Sequence, residues 1–235
     1  MRSLLGFLVF IAAVVALVMA FAVPPLVAPM VEAAVREASP FGDQPIDVEV
    51  DVDAIGLIRG FVSEIRISGE DLEKDDVRLG KVDLTVRGVR IDDTSFAGID
   101  GGMSVVSVPF FGFDPLVVSR IELSGASDEL AATASLDHDT ALAFITRSFA
   151  DQGVVASGFE LIDGGVSVVI FEQRVDLAIG VADGAMVIMD VLGTGPLELL
   201  APFPEDPWRL ASVTASFAGL EIVAAVDAGA LLAAE

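Results

Sequence analysis

The sequence has no cysteine and no tyrosine, and only one histidine and one tryptophan. Without cysteine no disulfide can hold the chain, so its core has to be large enough to stabilise it alone. One histidine, His138, cannot by itself build the usual zinc sites. It sits in an Asp-His-Asp triplet at a predicted helix start, where capping is the simpler role. Basic residues are also scarce: 13 Lys and Arg stand against 36 Asp and Glu, for a formal net charge of -23. A polyanion of this kind repels nucleic acid and the anionic face of a bilayer, which argues against a nucleic-acid partner. Catalytic signatures are missing too. There is no G-x-S-x-G elbow, no H-E-x-x-H, no Walker loop and no G-x-G-x-x-G opening a helix. Carboxylates are abundant, but no pair is singled out as a hydrolase dyad.

What the chain has in excess is hydrophobicity, at 54% of residues and a mean hydropathy of +0.71. Part of this lies in LLGFLVFIAAVVALVMAFAV, twenty uncharged residues from Leu4 to Val23. At about 1.5 Å per residue the run reaches about 30 Å, enough to cross a bilayer core. Arg2 precedes it and nothing basic follows closely, which predicts that the body of the protein lies outside the cytoplasm. Ala20-Phe21-Ala22 fits a signal-peptidase site, but the run exceeds the usual length of about 7 to 15 residues, which favours an uncleaved anchor. After Pro24-Pro25, the residues Leu26, Val27, Met30, Val31, Ala34, Val35 and Ala38 recur at helical spacing. They predict an amphipathic helix ending at Ser39-Pro40. The organisation that follows is a signal anchor or signal peptide over 1–23, an amphipathic helix over 24–40 and a single β-rich domain over 41–235. Roughly 195 residues make such a domain feasible.

From Ile46 the pattern is that of strands. In IRISGEDLEKDDVRLGKVDLTVRGVRI, residues 65–91, apolar residues alternate with charged ones on either side of a predicted turn, SGEDLEKDD. The apolar phase slips at Gly80 and again at Gly88, which suggests bulges or bends that keep one face buried. The opposite face carries Arg66, Arg78, Lys81, Arg87 and Arg90, and with Arg59 and Lys74 the region holds seven of the 13 basic residues. Such a strip could meet lipid phosphates, or could be a solvated face whose arginines pair with nearby Asp and Glu. In DVEVDVDAI four carboxylates share a face, without the glycine turn of a calcium loop. A second helix is predicted in HDTALAFITRSFADQG, capped by Asp137 or Asp139, with Ala141, Leu142, Ile145 and Phe149 as its stripe and Gly153 closing it. It separates two strand-rich halves. The second half includes a proline-rich connection, LELLAPFPEDPWRL, and ends in ASVTASFAGLEIVAAVD. Between Pro109 and Pro115, Phe110, Phe111 and Phe113 crowd around Gly112 in a predicted tight turn. These rings either tuck into the core or dip into a bilayer interface beside which lipid could pass.

Leu57-Ile58-Arg59-Gly60, the alternating strand Ile65 to Gly69, and the strand Val82 to Val89 occur in the order of a signature that resembles the LmeA-like phospholipid-binding proteins of bacterial envelopes. The similarity extends at lower specificity to the leader, to the helix start at Asp137 to Leu142, and to the closing strand pair. It implies an α+β fold: a strongly curved antiparallel β-sheet wrapped against two amphipathic helices, behind a membrane-spanning segment, holding acyl chains in an apolar interior. It implies no chemistry, cofactor or metal. The expected lining or mouth comprises Val82, Leu84, Val86, Leu142, Ile145, Phe149, Phe110, Phe111 and Phe113. Arg66, Arg87 and Arg90 are the expected head-group contacts. Expected partners are phospholipid, a membrane and an envelope-assembly protein. Burying an acyl chain of about 16 methylenes is worth on the order of 12 kcal/mol, so a carrier needs an aliphatic wall and no catalytic group. The alternatives are a non-catalytic envelope scaffold with a filled core and, third, a carboxylate-based hydrolase.

Overall fold

The computed structural model describes residues 46–51, 59–74, 77–90, 95–110, 113–189, 195–202 and 206–227, with Gln44 and Gly56. The strands of the first part are β1 (Ile46–Asp51), β2 (Phe61–Lys74), β3 (Val77–Arg90), β4 (Gly98–Phe110), β5 (Phe113–Ala126) and β6 (Glu129–Asp137). Helix α1 (His138–Asp151) follows. Then come β7 (Ser157–Ile162), β8 (Gly165–Ile170), β9 (Gln173–Ala182), β10 (Ala185–Ile188), β11 (Leu197–Leu200), β12 (Trp208–Ser216) and β13 (Gly219–Val226). Eight strands form one sheet in the order β1-β2-β3-β4-β5-β6-β13-β12, and five form a second in the order β11-β10-β9-β8-β7. All pairings are antiparallel. In the chain the helix and the small sheet are inserted between β6 and β12, two strands of the large sheet that β13 separates and pairs with on either side.

This corrects the expected fold class. The protein is mostly β, with 72% of the described residues in strands, a single helix among them, and two antiparallel sheets rather than one sheet wrapped against two helices. Part of the reason is that segments read as connections are strand. SGEDLEKDD is not a turn as far as Lys74, because Glu70 sits opposite Lys81 and Glu73 opposite Arg78, and these opposite charges keep a polar stretch in register. LELLAPFPEDPWRL contributes β11 and the start of β12. The expected helix over 24–40 and the span over Leu4 to Val23 lie outside the described residues. Among the described residues no helix is long and apolar enough to cross a membrane.

The slips at Gly80 and Gly88 have a physical origin that no single strand shows. Leu72, Leu79, Val106 and Val118 form one buried row across β2 to β5, and the next buried positions inward are Val82, Met103 and Ile121, three residues away instead of two. The same happens between the row of Val62, Val89 and Phe96 and that of Ile65, Val86 and Ile99. Pairing of β2 with β3 and of β3 with β4 continues through both seams without a register shift. Neighbouring strands therefore change phase together. In the first seam Asp71 and Val105 adopt positive φ (52° and 50°), and in the second Gly88 does (63°). A Cβ on Gly88 would lie 2.7 Å from that of Ala97, so this position requires glycine twice over.

Two backbone hydrogen bonds among the described residues join the sheets along β12. The Leu210 N–H donates to the Gly184 carbonyl (3.1 Å), and the Gly164 N–H donates to the Ala215 carbonyl (3.0 Å). The outer edge of β12 is thus covered by hairpin turns of the small sheet, which removes a site for strand addition. Helix α1 begins as expected: the Asp137 carboxylate accepts from the Thr140 N–H at 2.8 Å, and this bond holds its pKa below the usual aspartate value. The helix packs against β13, β6, β5, β7 and β11. Its buried stripe is Ala141, Phe144, Ile145, Ser148 and Phe149. Phe144 replaces the expected Leu142, which is only half-buried. Phe149 meets Phe159 edge-on, with centroids 5.2 Å apart, tying the helix to β7.

Candidate functional site

Among the described residues the interior face of the large sheet is apolar, and aliphatic apart from Met103 and Trp208. Ile67 lies beside Leu84, Ile65 beside Val86 and Ile99, and Val82 beside Met103 and Ile121. All are 7% exposed or less. Val82, Leu84 and Val86 therefore stand together on the inner face of β3. Ile145 and Phe149 belong to the same hydrophobic cluster from α1, and Leu142 packs against its margin. Eight strands span roughly 34 Å, whereas a helix is about 10 Å wide. Helix α1 makes its main contacts on this wall with β5, β6 and β13, and the wall's apolar face continues, buried, across β1 to β4.

The outer face is polar and internally neutralised. Glu64 accepts from Arg66 (2.7 Å) and from Arg87 (3.3 Å), so the two arginines expected to contact head groups share one carboxylate instead. The Arg66 hydrogen bond is the main reason that the Glu64 carboxyl is held below its usual pKa. Arg90, the third, donates its backbone N–H to the Ser95 carbonyl (2.8 Å). Arg78 pairs with Glu73 and Arg120 with Glu122. The face thus carries a set of ion pairs, two within a strand and two between β2 and β3.

At the centre of this face lies a shallow depression of about 630 Å³. Gly102 forms its floor, between Asp83 on β3 and Glu122 on β5, and a Cβ there would lie 2.5 Å from the Ile121 carbonyl. Lys81, Ser104, Arg120, Asp100, Ser124 and Thr133 line it. The glycine is demanded by the close approach of neighbouring backbone, so the hollow follows from sheet packing.

The remaining expected residues are dispersed. Phe110 and Phe113 are cross-strand partners at the end of the β4–β5 hairpin. Their side chains, and Phe111 entirely, lie outside the described residues. The His138 Nδ1 lies 2.9 Å from the Phe217 carbonyl, fastening the start of α1 to the β12–β13 turn. Among the described residues no group of three or more His, Cys, Asp or Glu is placed to hold a metal ion. Sequence reasoning missed three features. Phe171 and Val155 are 87% and 88% exposed. Trp208 is 4% exposed, and its indole N–H finds no acceptor among the described residues. The Phe171 signal was legible, since Phe-Glu interrupts two strand patterns where turn residues belong.

The architecture defines an all-β protein of two antiparallel sheets with one inserted helix among its described residues. No protein-family model, curated protein or solved structure matches the chain.

Proposed function

We propose that this protein is an extracytoplasmic, membrane-tethered phospholipid-binding or lipid-transfer protein of the LmeA-like kind, which acts without catalysis by holding acyl chains against an apolar wall. The observation that carries this reading is the apolar inner face of the large sheet, which extends, buried, across β1 to β4 beyond the strands that α1 chiefly packs against. The buried indole N–H of Trp208, which finds no acceptor among the described residues, supports it. A buried donor without a partner costs stability, and an ester carbonyl of a lipid is an acceptor that can enter an apolar interior. The Leu4 to Val23 run supplies the tether, and Arg2 sets the body on the outer side. The shared ion pairs make head-group recognition through Arg66 and Arg87 a matter of displacing Glu64, so selectivity for anionic head groups is not part of the reading.

The test is transfer of labelled phospholipid from donor vesicles containing the full chain to acceptor vesicles, alongside native mass spectrometry of the chain released from membranes. Transfer above the protein-free rate, with phospholipid mass on the released chain, is the expected outcome. A chain that carries no lipid and accelerates no transfer is not a carrier, and a filled envelope scaffold then becomes the better description.

A further inference from the structure

Two hairpins of the small sheet turn through the same geometry with opposite chemistry. Ala182 pairs with Ala185 around Asp183 (φ 53°) and Gly184 (φ 75°), and Ile170 pairs with Gln173 around Phe171 (φ 50°) and Glu172 (φ 65°). Positive φ at both central residues marks the type I′ turn, which favours Asn, Asp and Gly. Asp183-Gly184 obeys that preference. Phe171-Glu172 breaks it twice, with an aromatic residue in a left-handed conformation and with a ring 87% exposed that gains nothing from the core. Val155, in the connection from α1 to β7, is 88% exposed. Ser157 pairs with Val169, so Val155 and Phe171 each lie two residues beyond that pair, at one end of the sheet. They are the two most exposed large hydrophobic side chains among the described residues.

We propose that the β8–β9 tip, with Phe171 and Val155, dips into the interface of a lipid bilayer. This rests on the reading that the chain works at a membrane, and it names where the folded body touches it. Size decides against a protein partner. A stable interface buries about 800 Å² on each side, whereas two side chains at a tip offer roughly a third of that. A bilayer interface requires no matching surface and accepts a single ring. Charge decides the kind of lipid. Arg174, the nearest cation in sequence, is engaged by Glu160 and by the Ser167 hydroxyl, and Glu172 at the tip is acidic. Nothing at the tip draws it to anionic lipid, so it enters a zwitterionic surface by insertion alone, with little dependence on salt.

The absence of cysteine makes the test clean. The full chain carrying Phe171→Cys, Val155→Cys or, as control, Asp183→Cys is labelled with an environment-sensitive fluorophore and reconstituted into phosphatidylcholine vesicles. Labels at 171 and 155 should shift to the blue and be quenched by lipid-borne nitroxides, and the label at 183 should not. A label at 171 as wet as that at 183 overturns the proposal. The double variant Phe171→Asn with Glu172→Gly installs the preferred turn. It should raise the melting temperature by a few degrees while returning the label at 155 to water. A fall in melting temperature would show that the ring is structural, and a label at 155 that stays inserted would show that Phe171 is not the anchor. The two readings separate. Lipid transfer by a chain whose 171 label stays wet sinks the insertion and leaves the carrier standing, and an inserted label on a chain that moves no lipid does the reverse.

Discussion

The large sheet and the small sheet solve the same burial problem in different ways. In β3 of the large sheet, buried residues alternate with exposed ones between the seams: Val82, Leu84 and Val86 face in, and Lys81, Asp83 and Arg87 face out. In the small sheet, β10 is buried at all four positions and β8 at five of six. Helix α1 packs against β7 and β11 of that sheet, and β12 lies against β7, β8, β9 and β10. Strands β8 and β10 are covered from two sides and are nearly continuously apolar, whereas β7 and β9 keep exposed positions along their length. The large sheet keeps one face for solvent and buries the other. The difference teaches that phase along a strand records how many of its faces are covered.

The sharpest way to break this comparison is to place a charge on successive residues. Met186 and Val187 are neighbours on β10 that point to opposite faces, and both are at most 2% exposed. Met186→Asp and Val187→Asp should each cost on the order of 4 kcal/mol or more, enough to unfold a marginally stable domain. On β3 only one of two neighbours should matter. Val86→Asp should be as damaging, and Thr85→Asp, on the outer face, should stay within about 1 kcal/mol. Chemical denaturation of the four variants measures it. A tolerant Val187→Asp would mean that one face of β10 is open to water.

How much of this was legible in the sequence follows from the same contrast. The large sheet announced itself through period-two alternation, and even its seams showed as slips at Gly80 and Gly88. What the sequence concealed is that β2 to β5 share the first slip, because cross-strand register is a long-range property. The small sheet was read only as a run of strand-like segments. Continuous apolar stretches such as Ala185 to Ile188 carry no phase, and phase is what reveals a face. Proline hid β11 and the start of β12, whereas Asp137 at the start of α1 could be read because a cap is local chemistry. The arginines Arg66 and Arg87 were visible as a basic strip, but their shared partner Glu64 depends on the pairing of β2 with β3. The head-group role expected of them had no way to anticipate that.

The two seams give a second, smaller contrast within the large sheet. Gly88 has a left-handed φ and a clash distance of 2.7 Å to Ala97, whereas a Cβ on Gly80 would meet Val105 at 3.1 Å without any left-handed requirement. Gly88→Val should therefore destabilise by about 2 kcal/mol or more, and Gly80→Val by about 1 kcal/mol. Melting curves of the pair measure the ranking. Equal losses would mean that seam geometry, and not the backbone conformation of one strand, sets the cost.

The smallest effect expected concerns how the outer face holds its charge. Glu64 serves Arg66 and Arg87 on the large sheet, whereas Arg174 of the small sheet is held by Glu160 and also donates to the buried Ser167 hydroxyl at 2.7 Å. The first arrangement is exposed and screened by water, and the second reaches into the core. Glu64 has its folded pKa below its unfolded value, so its stabilising contribution is fully present above the ordinary glutamate range. That contribution is lost as pH falls through the depressed folded value. Glu64→Gln should accordingly lower the melting temperature slightly at neutral pH, and the gap between variant and parent should close as pH falls to about 3. Molar salt should shrink the neutral-pH gap as well, since the pairs lie at the surface. Ser167→Ala, which takes the acceptor from Arg174, should show a loss that salt barely changes, since the bond it removes ends on a buried hydroxyl. A Glu64→Gln gap that persisted undiminished in salt and at low pH would place that carboxylate in a structural role that its exposure does not suggest.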